Sequence, residues 1–130
     1  MLTYSSRSAA SPAEAWALIS QPARWHEWAP HVRGAWGLGE PEVRLGARGA
    51  ARLLWALPVP ATVTDKRPGE SWTWSVGPVS LVHRVARRRG GCEVAVDIEA
   101  PPALEALLAL SYGPAVGMLV SRLARVAEQR

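Results

Sequence analysis

The stretch Leu104–Val126, LEALLALSYGPAVGMLVSRLARV, decides how the rest of the chain reads. Its apolar residues recur at steps of three and four, so Leu104, Leu107, Leu108, Ala115, Leu119, Leu123 and Val126 fall broadly on one side of a helix. Pro101-Pro102 opens this region and Gly113-Pro114 interrupts it, which predicts either a kink or a short helix followed by a longer one. Arg122, Arg125 and Arg130 suit its C-terminal end. The uncharged run from Ala106 to Val120 is shorter than the ~18 apolar residues of a spanning helix, so no stable membrane insertion is expected.

Ahead of this helix, residues 31–99 read as short strands that must bury one face, and a long apolar helix across the sheet is the economical partner. Residues 31–38 place Val32, Gly34 and Trp36 on one face. Residues 47–57 set Ala51, Leu53 and Trp55 against Arg48 and Arg52. Pro58 and Pro60 restrict pairing near the start of 59–66, so that strand is expected at an edge or to begin late. After the Pro68-Gly69 turn, 71–76 alternates Trp72 and Trp74 with Ser71, Thr73 and Ser75; 79–87 alternates Val79, Leu81, His83 and Val85 with Ser80 and Arg84. Gly90-Gly91 reads as a hairpin turn, and 92–99 alternates Cys92, Val94, Val96 and Ile98 with Glu93, Asp97 and Glu99. Such period-two alternation means an antiparallel sheet with one covered face.

Toward the N-terminus, residues 2–9 form a candidate strand with Leu2 and Tyr4 on one face. Ser11-Pro12-Ala13-Glu14 combines an N-cap hydroxyl, proline at the first helical position and a glutamate placed to close a capping box. A helix carrying Trp16 and Ile19 inward starts there and stops at Gln21-Pro22; a second short helix or turn holds Ala23 to Trp28. The whole of 1–130 is read as one α+β domain.

Composition narrows the function classes. The net charge of +4 is modest and scattered, a weak bias toward anions. The basic cluster Arg84, Arg87, Arg88, Arg89 lacks an interleaved aromatic platform, so it reads as a solvated hairpin tip and no nucleic-acid partner is expected. A single cysteine, Cys92, excludes an internal disulfide and fits a reducing compartment; MLTYSSRSAA has no apolar core of a secretory leader, so a cytoplasmic protein is expected. His26, His31 and His83 show no ligand spacing, no phosphate loop or dinucleotide fingerprint is present, and neither metal nor cofactor is expected. Asp97 and Glu99 share the outward parity of their strand and read as a solvated face.

Two features carry chemistry. His83 shares a face with Leu81 and Val85; a buried neutral imidazole there is either a hydrogen-bonded core residue or a group that orients a ligand or moves a proton. The seven tryptophans, with no phenylalanine, are the second. Trp36, Trp55, Trp72 and Trp74 fall on the inward parity of their strands, and they either wall a cavity, offering indole N–H groups to a ligand, or fill the core in place of phenylalanine. Trp25 and Trp28, in WHEW, read as packing residues of the short helix.

The order strand, two short helices, strands, long C-terminal helix resembles the START-like superfamily, in particular its polyketide cyclase/dehydrase and lipid-transport branch, the SRPBCC proteins. The stretches that carry it are Ser11-Pro12-Ala13-Glu14-Ala15-Trp16, Trp25-His26-Glu27-Trp28-Ala29-Pro30, Gly46, Pro68-Gly69-Glu70-Ser71-Trp72-Thr73-Trp74, His83-Arg84, Gly90-Gly91 and the terminal helix ending Ala127-Glu128. The resemblance implies a helix-grip fold, a curved antiparallel sheet wrapped around the long C-terminal helix with a cavity between them. It also implies that His83, the inward tryptophans, Tyr112 and Met118 line that cavity. The expected partner is a hydrophobic small molecule of lipid, polyketide or aromatic type, with a homodimer left open. Two further functions stand beside simple binding: a cyclase or dehydratase using His83 for proton transfer, and a protein-interaction domain whose core is closed by its own tryptophans.

Overall fold

The computed structural model describes residues 1–29, 32–53, 57–110 and 112–129, with backbone alone for 32–34, 51–53, 57–59 and Tyr112. Seven strands, β1 (Leu2–Ser8), β2 (Val32–Trp36), β3 (Arg48–Leu53), β4 (Leu57–Arg67), β5 (Ser71–Val76), β6 (Val79–Arg88) and β7 (Gly91–Glu99), form one antiparallel sheet in the order β1-β7-β6-β5-β4-β3-β2. After β1 the chain crosses to the opposite edge through helix α1 (Pro12–Ser20) and a 3₁₀ helix (Pro22–Glu27). It then meanders back strand by strand until β7 pairs with β1 from Leu2↔Ile98 to Ser8↔Cys92. Helices α2 (Pro102–Leu110) and α3 (Tyr112–Glu128) follow, and α3 packs on β1, β7 and α1. This is the helix-grip arrangement.

Alternation decides which side of the sheet is covered. Leu81, His83 and Val85 of β6 and Cys92, Val94, Val96 and Ile98 of β7 are all buried, as their spacing predicts. On the other face Asp97 is buried as well. Its carboxylate accepts from Arg84 Nε and Nη2 at 2.7 and 3.0 Å and from the Thr3 hydroxyl at 2.8 Å. Burial alone would raise the Asp97 pKa, but the Arg84 and Thr3 bonds outweigh it and hold the carboxyl below its usual value. Asp97 is thus buried in an ion pair with the partly exposed Arg84, while Glu99 is exposed as expected.

Several boundaries differ from the sequence reading. The segment 47–57 is not one strand: it holds all of β3 and the first residue of β4, with Leu53 paired to Leu57. Strand β4 starts at Leu57, not late, yet β5 joins it only from Thr62; Pro58 and Pro60 therefore lie where β3 is its one neighbour, which accommodates their missing donors. The hairpin turn is Arg89-Gly90, since Arg88 pairs with Gly91. Gly91 is a strand residue whose missing side chain leaves room for the backbone of Ser8 and Ala9. A bulge between Val32 and Gly34 resets the face of β2. Gly49 pairs with buried Ala61, so Ala50 and its partner Trp36 point to the opposite side, and Trp36 is half exposed.

The terminal region breaks into two helices bent 62° apart. On α3 the buried positions are Gly113, Val116, Val120, Leu123, Ala124 and Ala127, with Ala115 exposed and Leu119 and Val126 partly buried. On α2 no residue is buried. The single apolar face read across both helices is thus two faces in different phase. Tyr4 of β1 lies over Gly113, where a side chain would collide with its ring and hydroxyl, and packs closely on Gly117.

Candidate functional site

The covered face of the sheet is organised in transverse rows. One row runs Tyr4, Val96, His83, Trp72, Lys66 across β1, β7, β6, β5 and β4; the next runs Leu2, Ile98, Leu81, Trp74, Val63. The β5–β6 hairpin thereby sets Trp72 directly opposite His83 and Trp74 opposite Leu81.

Four rings meet here. Trp25 of the 3₁₀ helix stacks on Trp72 with centroids 5.6 Å apart and planes at 7°. Trp72 stacks on His83 at 3.9 Å and 6°. Trp74 stands edge-on to all three, at 5.4 Å from Trp25, 5.4 Å from Trp72 and 5.8 Å from His83. Such stacked and T-shaped contacts add about 0.5–1.5 kcal/mol per pair to the burial of the rings.

Most of the polar edges in this cluster are already used. Helix α1 ends at Gln21-Pro22, so Pro22 offers no N–H, and the exposed carbonyls of the last turn take other donors. Leu18 O accepts from Trp28 Nε1 at 2.9 Å. Ile19 O accepts from both Trp25 Nε1 (3.1 Å) and Trp72 Nε1 (3.0 Å). Ser20 O accepts from Val43 N at 2.9 Å and Ala17 O from Gln21 N at 3.1 Å. Three tryptophans thus cap α1. At the other end of the helix the Ser11 hydroxyl accepts from Glu14 N at 3.2 Å, while the Glu14 carboxylate pairs with Arg24 at 3.1 Å. Trp16 Nε1 donates to Glu42, whose other oxygen holds Lys66 at 3.1 Å.

Trp74 is the exception. Its Nε1–H is shielded from solvent and, among the described residues, has no hydrogen-bond partner. A buried donor left unpaired costs about 1–3 kcal/mol.

His83 is 6% exposed, and its Nδ1 lies 3.3 Å from Trp72 O. A carbonyl only accepts, so Nδ1 carries the hydrogen and Nε2 the lone pair. Burial lowers its pKa to about 4, against the smaller opposing effect of that hydrogen bond. The imidazole is neutral at pH 7.

The structure brings together Trp72, Trp74 and His83 from the sequence-predicted set, and adds Trp25. Trp25 was legible as a packing residue, but its place in the stack depends on how the 3₁₀ helix folds back over β5. Trp36 does not join them; it faces a separate groove with Pro22, Leu38, Pro41 and Arg44. Met118 sits on the outer side of α3 and is 74% exposed. Trp55 and the Tyr112 side chain lie outside the described residues. Among the described residues, no cluster of His, Cys, Asp and Glu could hold a metal ion.

Comparison with solved structures returns the same architecture. A crystal structure from Nitrosomonas europaea overlays with a TM-score of 0.77 at 11% identity, covering 98% of this chain and 94% of that one. A polyketide-cyclase-like protein from Corynebacterium glutamicum overlays at 0.66 and 18% identity, over 98% and 90% of the two chains. DynU16, a protein of the dynemicin biosynthetic locus, overlays at 0.78 and 18% identity; 98% of this chain matches 46% of that one. Such identities speak for the fold alone, and no curated protein matches the sequence. The sequence itself supplies the family: residues 2–128 match polyketide cyclase/dehydrase and lipid transport, the match runs from β1 to the end of α3, and the chain belongs to that family.

Proposed function

We propose that the protein binds a hydrophobic, aromatic small molecule on the covered face of its sheet, beside Trp74. The family and fold support a hydrophobic-ligand or cyclase role. The observation that carries the reading is the buried, unpartnered Trp74 Nε1–H in a cluster whose other indoles, Trp25 and Trp72, are spent on capping α1. A ligand with an acceptor oxygen satisfies that donor while its apolar body gains from burial. Trp72 and His83 form the rigid floor behind it.

Binding is favoured here over proton transfer by His83. A base serves best with a pKa near the working pH, and burial has taken His83 to about 4 with Nδ1 committed to Trp72 O. The stack of Trp25, Trp72 and His83 supports a core filled by its own rings, which places the proposed ligand beside Trp74 and not beneath it. A buried thiol at Cys92 is in keeping with a cytoplasmic setting.

Native mass spectrometry of the purified protein, followed by extraction and identification of whatever it retains, tests the proposal. A stoichiometric apolar molecule is the expected result. A ligand-free mass, with no change in tryptophan fluorescence across a panel of aromatic and fatty ligands, overturns it.

A further inference from the structure

The outer side of α2 and α3 has no part in the Trp74 cluster, and its composition is unusual for a surface. Leu107, Leu110 and Met118 are 62%, 86% and 74% exposed, and α2 buries none of its residues. Monomeric proteins rarely gather large apolar side chains on one exposed helix pair without a use for them. Met118, Arg122 and Arg125 follow one another at helical steps of four and three, so they form a continuous stripe along α3. With Pro114, Gly117 and Leu119 they line a shallow groove of about 530 Å³.

Charge says what this face fits. Between Pro102 and Val126 the only acidic residue is Glu105, and its carboxylate pairs with the Met1 ammonium at 2.8 Å. The stripe therefore presents Met118 at one end and two guanidinium groups at the other; the one carboxylate of α3, Glu128, lies a helical step beyond Arg125 and accepts from Ala9 N at 2.7 Å. Taken together, α2 and α3 have the length and hydropathy of a membrane segment, but no single helix among the described residues does, and the 62° bend leaves the pair no straight path across.

We propose that α2 and α3 together dock on an anionic lipid surface, with Leu107 and Leu110 of α2 and Met118 of α3 entering the acyl boundary and Arg122 and Arg125 meeting lipid phosphates. A second copy of the chain fits less well, because a twofold contact through the stripe gathers the arginines of both copies without placing a carboxylate opposite them. The inference draws on nothing about Trp74, so either reading stands without the other.

Co-sedimentation of the full chain with vesicles tests it, using phosphatidylcholine alone and phosphatidylcholine mixed with phosphatidylglycerol. The expected result is partition onto the mixed vesicles only, weakening as salt is added. Arg122→Glu with Arg125→Glu lowers that partition by about 25-fold or more, taking about fivefold for each arginine. Leu110→Ser with Met118→Ser lowers it by about tenfold through lost apolar burial. Near-UV circular dichroism confirms that these exposed positions leave the tryptophan cluster folded. Equal binding to both vesicle types, no binding to either, or full binding by the arginine variant overturns the proposal. So does a concentration-dependent dimer abolished by the same substitutions with no vesicle binding. If a variant fails to fold, the wild-type comparison across vesicle composition and salt decides the matter alone.

Discussion

The imidazole of His83 lies flat on the indole of Trp72, centroids 3.9 Å apart and planes 6° from parallel, and its Nδ1 donates to the carbonyl of the same tryptophan. Side chain and backbone of one residue thus hold both the face and the edge of the other. Burial nevertheless penalises the charged ring, and the carbonyl acceptor offsets only part of that penalty.

That penalty sets a pH dependence. His83 titrates at about 4 when folded, against 6.5 for an unperturbed histidine, so between these values the unfolded chain carries the extra proton. Its contribution to stability is complete above pH 6.5 and is lost as pH falls toward 4. At about 1.4 kcal/mol per pH unit the loss amounts to roughly 3 kcal/mol. Denaturant titrations across this window measure it, and His83→Phe flattens the profile there. An equally steep decline in the variant assigns the effect to other groups.

The shared carbonyl of Ile19 predicts non-additive substitutions. With Trp25 and Trp72 both donating to it, Trp25→Phe or Trp72→Phe alone leaves Ile19 O with one donor. The double variant leaves it buried and unpaired, so its cost exceeds the sum of the singles by about 1 kcal/mol or more. Equilibrium unfolding of the four proteins gives the coupling directly; strict additivity denies the capping role.

Tyr4 and Gly113 make a second coupled pair. A methyl group at Gly113 meets the Tyr4 ring and hydroxyl, so Gly113→Ala destabilises by about 1–3 kcal/mol despite the better helix propensity of alanine. In a Tyr4→Ala background only the close contact with Leu108 O at 3.1 Å remains, and the cost of the same substitution falls. Thermal unfolding of the two pairs checks the coupling, and an unchanged cost in the Tyr4→Ala background contradicts it.

These relationships show which parts of the molecule could be read from sequence. Leu81, His83 and Val85 were legible because β6 is regular and each residue keeps its face. Trp36 was not, since the bulge between Val32 and Gly34 inverts the faces of β2, and although Gly34 is the kind of residue that marks a bulge, alternation alone reads straight through it. The helix region was legible from Gly113-Pro114 as either kinked or broken in two, but its buried face was not, because periodicity carried across a 62° bend adds positions from two unrelated axes. For the site, alternation could place Trp72 and Trp74 on the covered face of the sheet. It could not reveal that Trp72 spends its N–H on Ile19 while Trp74 keeps its own, since that depends on where α1 ends in space.

The most direct test of the Trp74 reading is calorimetric titration of wild type and Trp74→Phe with 1-acetylnaphthalene and 1-ethylnaphthalene, two ligands that differ in a single acceptor oxygen. The account predicts that wild type prefers the ketone by about tenfold, the worth of pairing one buried donor. Trp74→Phe loses that preference and keeps its affinity for the hydrocarbon. A preference for the ketone that survives in Trp74→Phe, or a wild-type protein that binds neither ligand, contradicts the account.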